Sequence, residues 1–219
     1  MPIWQQNQIV TVIGTQLFGP IANLLDHMLA RPFRKSDRVS SNYHEGGYAV
    51  SIILLLAVAV ESMVARDRYF NKKAAGYQKL PVPEYMKEVH RFRGYHRLSE
   101  FFVLRDSIAH NHFWVLDYLW SEGKGRKLTS ATRVTWSGNK RLEKRLNTKT
   151  FRTKLLRANV IPAKMDRKDV YAALAISLSV LDFLGKRGAN PVTVTNSIVG
   201  FRGQRVPFSA LLEKVKDAH

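Results

Sequence analysis

The sequence predicts a mainly α-helical protein, a four-helix bundle with a small β-hairpin inserted between the third and fourth helices. Two observations predict this class. Apolar residues recur at helical spacing in four separate segments, and a short stretch between the third and fourth segments is instead rich in strand-forming residues. Hydrophobic residues make up 45% of the 219 residues, which is enough for a core. We therefore expect residues 1–219 to form a single domain.

The first two predicted helices cover residues 7–29 and 48–70. Gly19 and Pro20 should kink or split the first helix, because proline lacks an amide hydrogen and clashes with the preceding turn. The apolar run of the second helix lasts only until Glu61 interrupts it, whereas a membrane span needs roughly 20 apolar residues. A buried core helix is therefore the favoured interpretation of the second helix.

The third predicted helix covers residues 83–113 and is broken near Gly94. Strand-forming residues dominate residues 114–120 and 129–136, and a glycine-containing turn separates these two runs, so we predict a β-hairpin. The basic, polar residues 140–157 are predicted to be helical.

The fourth long helix is predicted over residues 167–184, where glycines end the apolar periodicity. Residues 114–166 then form a basic insertion between the third and fourth helices. Residues 189–219 form a C-terminal appendage, with a strand-like stretch at 192–194 and a short helix at 209–217.

Composition favours a nucleic-acid partner. The formal net charge is +18, and such a charge attracts polyanions, of which nucleic acid is favoured over an anionic membrane surface. The alternative is that the charge only aids solubility. The chain has no cysteine, which excludes disulfides and thiolate catalysis. The N-terminus does not resemble a signal peptide, so we expect a cytoplasmic location.

Most of the excess charge lies in one segment. From Lys124 to Lys168 there are 15 Lys or Arg, against three acidic residues if Glu122 just upstream is included. Cations can neutralise phosphates while aromatic faces stack on unpaired bases. The alternative is a solvated basic face whose aromatic residues, including Phe151, pack against the helices. The predicted RNA-binding residues are Trp120, Lys124, Arg126, Lys127, Arg133, Trp136, Lys140, Arg141, Lys144, Arg145 and Arg152.

Strongly polar residues gather at the end of the third predicted helix, after the apolar residues 101–104. They are Arg105, Asp106, His110, Asn111 and His112. Core packing gives no reason for such residues, because unpaired charges are costly to bury. An imidazole titrates near neutral pH and can move a proton, and a guanidinium can bind a phosphate and stabilise its developing charge. The cluster is therefore a candidate site for RNA cleavage.

The segment from Arg105 to His110 resembles the motif of the HEPN superfamily, in which four to six residues separate an Arg from a His. A polar residue directly after the Arg, here Asp106, is common in this family. The resemblance covers residues 7–185 and implies a metal-independent endoribonuclease with no cofactor, in a toxin or antiviral defence role. It implies that Arg105 binds phosphate, that His110 transfers the proton, and that the protein is a homodimer. Asp106, Asn111 or His112 would orient the site.

Several alternatives stay open. Arg38 with His44 and Arg91 with His96 satisfy the same spacing, and only the sequence context selects Arg105. At about 100° per residue, helical periodicity places His112 rather than His110 on the face of Arg105. Some family members have a modified Tyr where this chain has His112, so the resemblance does not support that regulation.

Other roles for these residues compete with catalysis. Arg105 and Asp106 could form an ion-pair network with Glu61 from the second helix, or Glu61 could lie at the exposed end of that helix. His110 and His112 could bind a metal with His90 and His96. A non-catalytic RNA-binding protein, or a protein-interaction module that binds an acidic partner, are the alternative functions.

Overall fold

The structure is a computed structural model that describes residues 13–31, 38–39, 44–109, 113–121, 125–134, 144–147 and 149–218. The described chain is mainly helical, which confirms the predicted class. Its α-helices are α1 (Phe18–Leu29), α2 (His44–Phe70), α3 (Val82–Glu88), α4 (Tyr95–Ala109), α5 (Arg167–Arg187) and α6 (Leu211–Lys216). Its strands are β1 (Arg38–Val39), β2 (Phe113–Ser121), β3 (Gly125–Val134), β4 (Leu146–Asn147), β5 (Arg152–Thr153), β6 (Ile198–Phe201) and β7 (Gln204–Pro207).

Helix α2 is the centre of the fold, and α1, α4 and α5 pack around it. Its residues Ile52, Leu56 and Val60 are fully buried. A helix with neighbours on several sides has to be apolar around most of its circumference, which explains the long apolar run in the sequence.

The segment of α2 from Glu45 to Phe70 also has the length and composition of a membrane span. Its mean hydropathy reaches 2.2, and half of that window is buried inside the protein. It is the one such helix among the described residues. Because a core helix meets the same criteria, this observation is weak evidence for a membrane location.

Proline positions explain where the first helix begins. A 3₁₀ turn over Ile13–Leu17 precedes α1, and Pro20 lies in the first turn of α1. At that position a proline costs nothing, because the first amides of a helix have no partner within it. The helix is therefore divided near the predicted position, since the 3₁₀ turn passes into α1 between Leu17 and Phe18. Residues 7–12 of the predicted helix lie outside the described residues.

The third predicted helix is two helices, α3 and α4, as the break near Gly94 predicts, but its predicted last residue, Phe113, instead begins strand β2. Arg91 between them has a left-handed backbone, with φ of 51°. Strands β2 and β3 form the predicted antiparallel hairpin, and the short β1 adds a strand on the other side of β3. That added strand was not predicted.

The prediction of a helix over residues 140–157 is wrong wherever the structure describes this segment. Strands β4 and β5 pair there around a turn. The side-chain oxygen of Asn147 accepts hydrogen bonds from the backbone N–H groups of Lys149 and Thr150. Such local side-chain bonds give the backbone an alternative to helical hydrogen bonds.

Helix α5 begins with a capping box, in which Asp166 and Asp169 each bond the backbone of the other. It runs three residues further than predicted. The prediction of a strand at 192–194 is wrong, since these residues form no strand. The C-terminal strands are β6 and β7, and the turn between them contains Arg202 and Gly203, which both have positive φ. The Phe208 ring stacks on Phe18 at 3.9 Å between centroids, so the C-terminal segment contributes to the same core as the helices.

Candidate functional site

Arg105 is held between two carboxylates. It lies in the second half of α4, where Nη2 is 2.7 Å from Oε1 of Glu61 on α2 and Nη1 is 2.9 Å from Oδ1 of Asp106. The guanidinium also lies 5.2 Å from the centroid of the Phe102 ring. The predicted ion-pair network is therefore present. Glu61 lies well inside α2 rather than at its end, so the interpretation as a helix-end residue is wrong.

These three charged side chains remain accessible to solvent. The side chains of Arg105, Asp106 and Glu61 are 26%, 34% and 38% exposed, respectively. They line a cavity of about 220 Å³ between α2, α4 and the chain around the start of α3. The other residues that line it are Arg68, Leu80, Pro81, Val82, Pro83, Ser99, Phe102 and Val103. This size and mixed polar and apolar lining suit a small charged group with an attached apolar surface.

Arg68 is a member of this site that the sequence analysis missed. Its Nη2 donates to the carbonyl oxygen of Leu80 at 2.5 Å, and its guanidinium lies 4.6 Å from the centroid of the Tyr85 ring. It follows Glu61 by seven residues, which is two helical turns, and this spacing is the signal that could have identified it.

The charges that line the cavity balance. Arg68 and Arg105 contribute two positive charges, and Glu61 and Asp106 contribute two negative charges. An anion that binds Arg105 therefore has to compete with a carboxylate.

The predicted His110, Asn111 and His112 lie outside the described residues. They follow Ala109, where α4 ends one turn after Arg105, and precede Phe113, where β2 begins. The choice between His110 and His112 as the partner of Arg105 therefore stays a prediction.

The competing Arg–His pairs lie in different settings. Arg38 lies in β1 and His44 is the first residue of α2, whereas Arg91 precedes α4. Arg105 alone among these three arginines lies inside a described helix and lines a described cavity. The structure therefore supports the context that selected Arg105.

His90 belongs to a buried cluster instead of the cavity. Its Nε2 lies 2.5 Å from Oδ2 of Asp67, and Asp67 also accepts from Tyr85 Oη at 2.7 Å and from the backbone N–H of Ala189 at 2.8 Å. Burial alone would raise the pKa of Asp67, but these hydrogen bonds outweigh it and lower that pKa. Burial and the Asp67 carboxylate raise the pKa of Tyr85. The cluster ties α2 to the residues after α5.

The exposed His96 also lies away from the cavity lining. Its ring is 4.2 Å from the ring of Tyr95 between centroids. Within the described part of the chain, no group of three or more His, Asp or Glu is arranged to hold a metal ion. The alternative of a metal site also included His90 and His96, but His90 contacts Asp67 and His96 contacts Tyr95.

The predicted RNA-binding residues are distributed over the insertion. Trp120 near the end of β2 is 67% exposed, and Lys144 and Arg152 are exposed. Arg126, Lys127 and Arg133 lie in β3. Phe151 is half-buried and packs against the core, as the alternative interpretation proposed. The predicted Lys124, Trp136, Lys140 and Arg141 lie outside the described residues.

Comparisons with models of protein families, with curated proteins and with solved structures find no match to this chain. The function is therefore argued from the geometry and chemistry of its own residues.

Proposed function

We propose that this protein is a metal-independent endoribonuclease that cleaves RNA at the cavity containing Arg105. One observation carries the proposal. The Arg105 guanidinium lies at the wall of a solvent-accessible cavity near the end of α4, and the chain continues directly into two histidines. A guanidinium beside imidazoles combines phosphate binding with proton transfer near neutral pH.

The reaction is a transesterification by the RNA itself. His110 accepts the proton of the 2′-hydroxyl while the 2′-oxygen attacks the adjacent phosphorus. The bond from phosphorus to the 5′-oxygen of the next nucleotide breaks. This oxygen takes up a proton from water, and the protonated His110 then returns its proton to the hydroxide. The products are a 2′,3′-cyclic phosphate and a 5′-hydroxyl. Arg105 binds the non-bridging oxygens, where charge accumulates in the transition state, and Glu61 holds the guanidinium in position.

The arrangement of α1, α2, α4 and α5 around one core supports a HEPN-like bundle as part of this proposal. By the same resemblance we propose a cytoplasmic homodimer in which two copies of the site face one cleft, and a role in defence or as a toxin. Asp106, Asn111 and His112 have supporting roles in this proposal.

The proposal is tested by incubating the purified protein with total RNA in EDTA. We expect cleavage by the wild type and loss of at least about a hundredfold in rate for His110→Ala, as for the loss of a general acid or base. Arg93→Ala is the matched control, because Arg93 is an exposed arginine outside the cavity lining. Equal cleavage by the His110→Ala and control variants would contradict the assignment of His110.

A non-catalytic RNA-binding protein is the second candidate. The observation in its favour is that Arg105 already forms ion pairs with two carboxylates. Two acidic and two basic side chains line the cavity, so it carries no net positive charge. This candidate predicts salt-dependent RNA binding, intact RNA after incubation, and no effect of His110→Ala on either.

A further inference from the structure

A second cavity lies on the loop that contains β4 and β5, which the sequence analysis assigned to a helix. Its volume is about 420 Å³, and it is lined by Asn147, Thr150, Arg152, Thr153, Lys154 and Arg157. All six side chains are polar, and three carry a positive charge. Of the residues predicted to bind RNA, only Arg152 lines this cavity.

Among the described residues, no ion pair with a carboxylate offsets these charges. The sequence contains seven Lys or Arg and no Asp or Glu from Lys144 to Met165. Within the described part of the chain, no carboxylate lies within ion-pair distance of Arg152, Lys154 or Arg157. This distinguishes the loop cavity from the cavity at Arg105, where the charges balance.

A buried carboxylate fixes the loop in place. Glu100 on α4 is 1% exposed, and its oxygens accept hydrogen bonds from the backbone N–H groups of Leu155 at 2.8 and 3.0 Å and of Leu156 at 2.8 Å. Because Glu100 and Arg105 lie on the same helix, the loop is held in a fixed relation to the candidate site. The backbone of the loop therefore needs little ordering before its cations bind a ligand.

Backbone hydrogen bonds hold the two sides of the loop together. Thr153 N–H donates to the carbonyl oxygen of Ala158 at 2.9 Å, and Arg152 Nη1 donates to the carbonyl oxygen of Arg157 at 3.0 Å. Lys154 N–H donates to the carbonyl oxygen of Arg145 at 3.0 Å. The result is a cavity lined by guanidinium, ammonium, hydroxyl and amide groups, which can donate hydrogen bonds to phosphate oxygens.

Two aromatic rings adjoin this loop, of which Tyr95 is half-buried and His96 is exposed. Arg145 connects these rings to the loop, because its carbonyl oxygen accepts from Lys154 N–H. Its Nη1 donates to the carbonyl oxygen of His96 at 3.4 Å, and its guanidinium lies 5.8 Å from the centroid of the Tyr95 ring. The rings of Tyr95 and His96 lie 4.2 Å apart between centroids and are tilted by 47° relative to each other. Aromatic faces next to phosphate-binding cations are typical of surfaces that bind unpaired bases.

We propose that the loop cavity binds backbone phosphates of single-stranded RNA, with an adjacent base on the exposed ring of His96. The proposal takes RNA as the partner from the proposed function, but it does not require cleavage. A substrate strand held at this cavity is anchored, through Glu100, to the helix that carries Arg105.

The test compares two triple variants that remove the same charge. Arg152→Ala/Lys154→Ala/Arg157→Ala removes the cavity cations, and Lys72→Ala/Lys73→Ala/Lys79→Ala removes three exposed cations elsewhere. The probe is a short 2′-O-methylated oligouridine, which cannot undergo attack by a 2′-hydroxyl. Its affinity is measured by fluorescence anisotropy over a range of salt concentrations.

We expect the cavity variant to lose at least about tenfold in affinity, with a salt slope smaller by about 2 for three phosphate contacts at about 0.7 each. The control variant should lose less than about threefold. Equal losses in both variants would overturn the proposal, and so would binding of an RNA duplex as tight as that of the single strand. If the triple variant fails to fold, the double variant Lys154→Ala/Arg157→Ala replaces it, because it keeps the hydrogen bond of Arg152. This double variant should reduce the salt slope by about 1.4.

The same assay separates this proposal from the nuclease proposal. If the wild type does not cleave RNA but the cavity variant loses affinity for the uncleavable probe, the nuclease proposal fails and the binding site stands. If the wild type cleaves RNA and the two triple variants bind the probe equally, the binding site fails and the nuclease stands.

Discussion

Helix α2 carries two glutamates that each pair with an arginine from another helix, and the two pairs differ in burial. Glu45, in the first turn of α2, pairs with Arg167 at the start of α5, and the Arg167 side chain is 3% exposed. Arg167 also donates to the carbonyl oxygens of Ala218 at 2.9 Å and Arg31 at 3.1 Å. Glu61 pairs with Arg105 at the edge of a cavity, where both side chains are accessible to solvent.

The difference shows that the same type of ion pair can lie inside the fold or at a cavity that a ligand could reach. The Arg167 guanidinium is surrounded by acceptors of its own chain and has almost no solvent contact, so it ties three parts of the fold together. The Arg105 guanidinium faces a space that a ligand can enter. Access to solvent, together with the two histidines that follow in the sequence, is therefore the reason to propose a function for Arg105.

The largest effect that we expect is on stability, at the buried pair. Arg167→Ala leaves Glu45 without its partner and two backbone carbonyls without a donor, so the free energy of unfolding should fall by about 3–5 kcal/mol. Arg105→Ala, at a partly exposed pair, should cost about 1 kcal/mol or less. Urea denaturation of both variants measures the difference. Equal losses would show that the two pairs have the same role.

The pH dependence of stability should depend on the buried carboxyl group of Asp169. Burial, and to a smaller extent the Asp166 charge, raise the pKa of Asp169 to about 6, despite hydrogen bonds from Asn159 that favour the charged form. An unfolded Asp titrates near about 3.9, so the folded state binds more protons than the unfolded state between about pH 4 and 6. The contribution of Asp169 is therefore fully present below about pH 4 and is lost as the pH rises through about 6.

We expect the urea midpoint of the wild type to rise between pH 7 and pH 5 relative to that of Asp169→Asn, which cannot titrate. Asp67 does not interfere in this window, because its pKa is lowered and its contribution is lost only on stronger acidification. Parallel pH profiles for the wild type and the variant would contradict the assignment.

The smallest effect should follow from a change at the accessible pair. Glu61→Gln removes one of the two negative charges at the cavity and keeps the shape of the side chain. RNA affinity should rise by about twofold to fivefold, on the scale of a partly exposed charge, with a change of less than about 1 kcal/mol in stability. Anisotropy with the uncleavable oligouridine measures this effect. Glu88→Gln, at an exposed carboxylate away from both cavities, is the control.

Apolar periodicity was sufficient to predict the helices of the core. The run in α2 and the spacing in α5 have the regularity that packing on several neighbours requires, and the glycine-containing turn marked the hairpin. The position of Arg105 on a helix behind apolar residues was likewise readable from the sequence.

The parts that the sequence did not reveal depend on contacts between distant residues or on side-chain bonds to the backbone. The loop cavity exists because Glu100 binds two backbone N–H groups more than 50 residues away, which no local pattern indicates. Asn147 turns the same segment away from a helix through its own backbone bonds. Asp67 and His90, 23 residues apart, meet only because α3 folds back on α2.

The most direct test of the proposed role of Arg105 is to identify the chemical ends of the RNA fragments that the protein produces. A short RNA is incubated in EDTA with the wild type, Arg105→Ala and the control Arg93→Ala, and the fragments are identified by mass spectrometry. We predict a 2′,3′-cyclic phosphate from the wild type and the control, a rate at least about a hundredfold lower for Arg105→Ala, and no cleavage where the attacking nucleotide is 2′-deoxy. Intact RNA with the wild type, undiminished cleavage by Arg105→Ala, or cleavage at the 2′-deoxy position would contradict it.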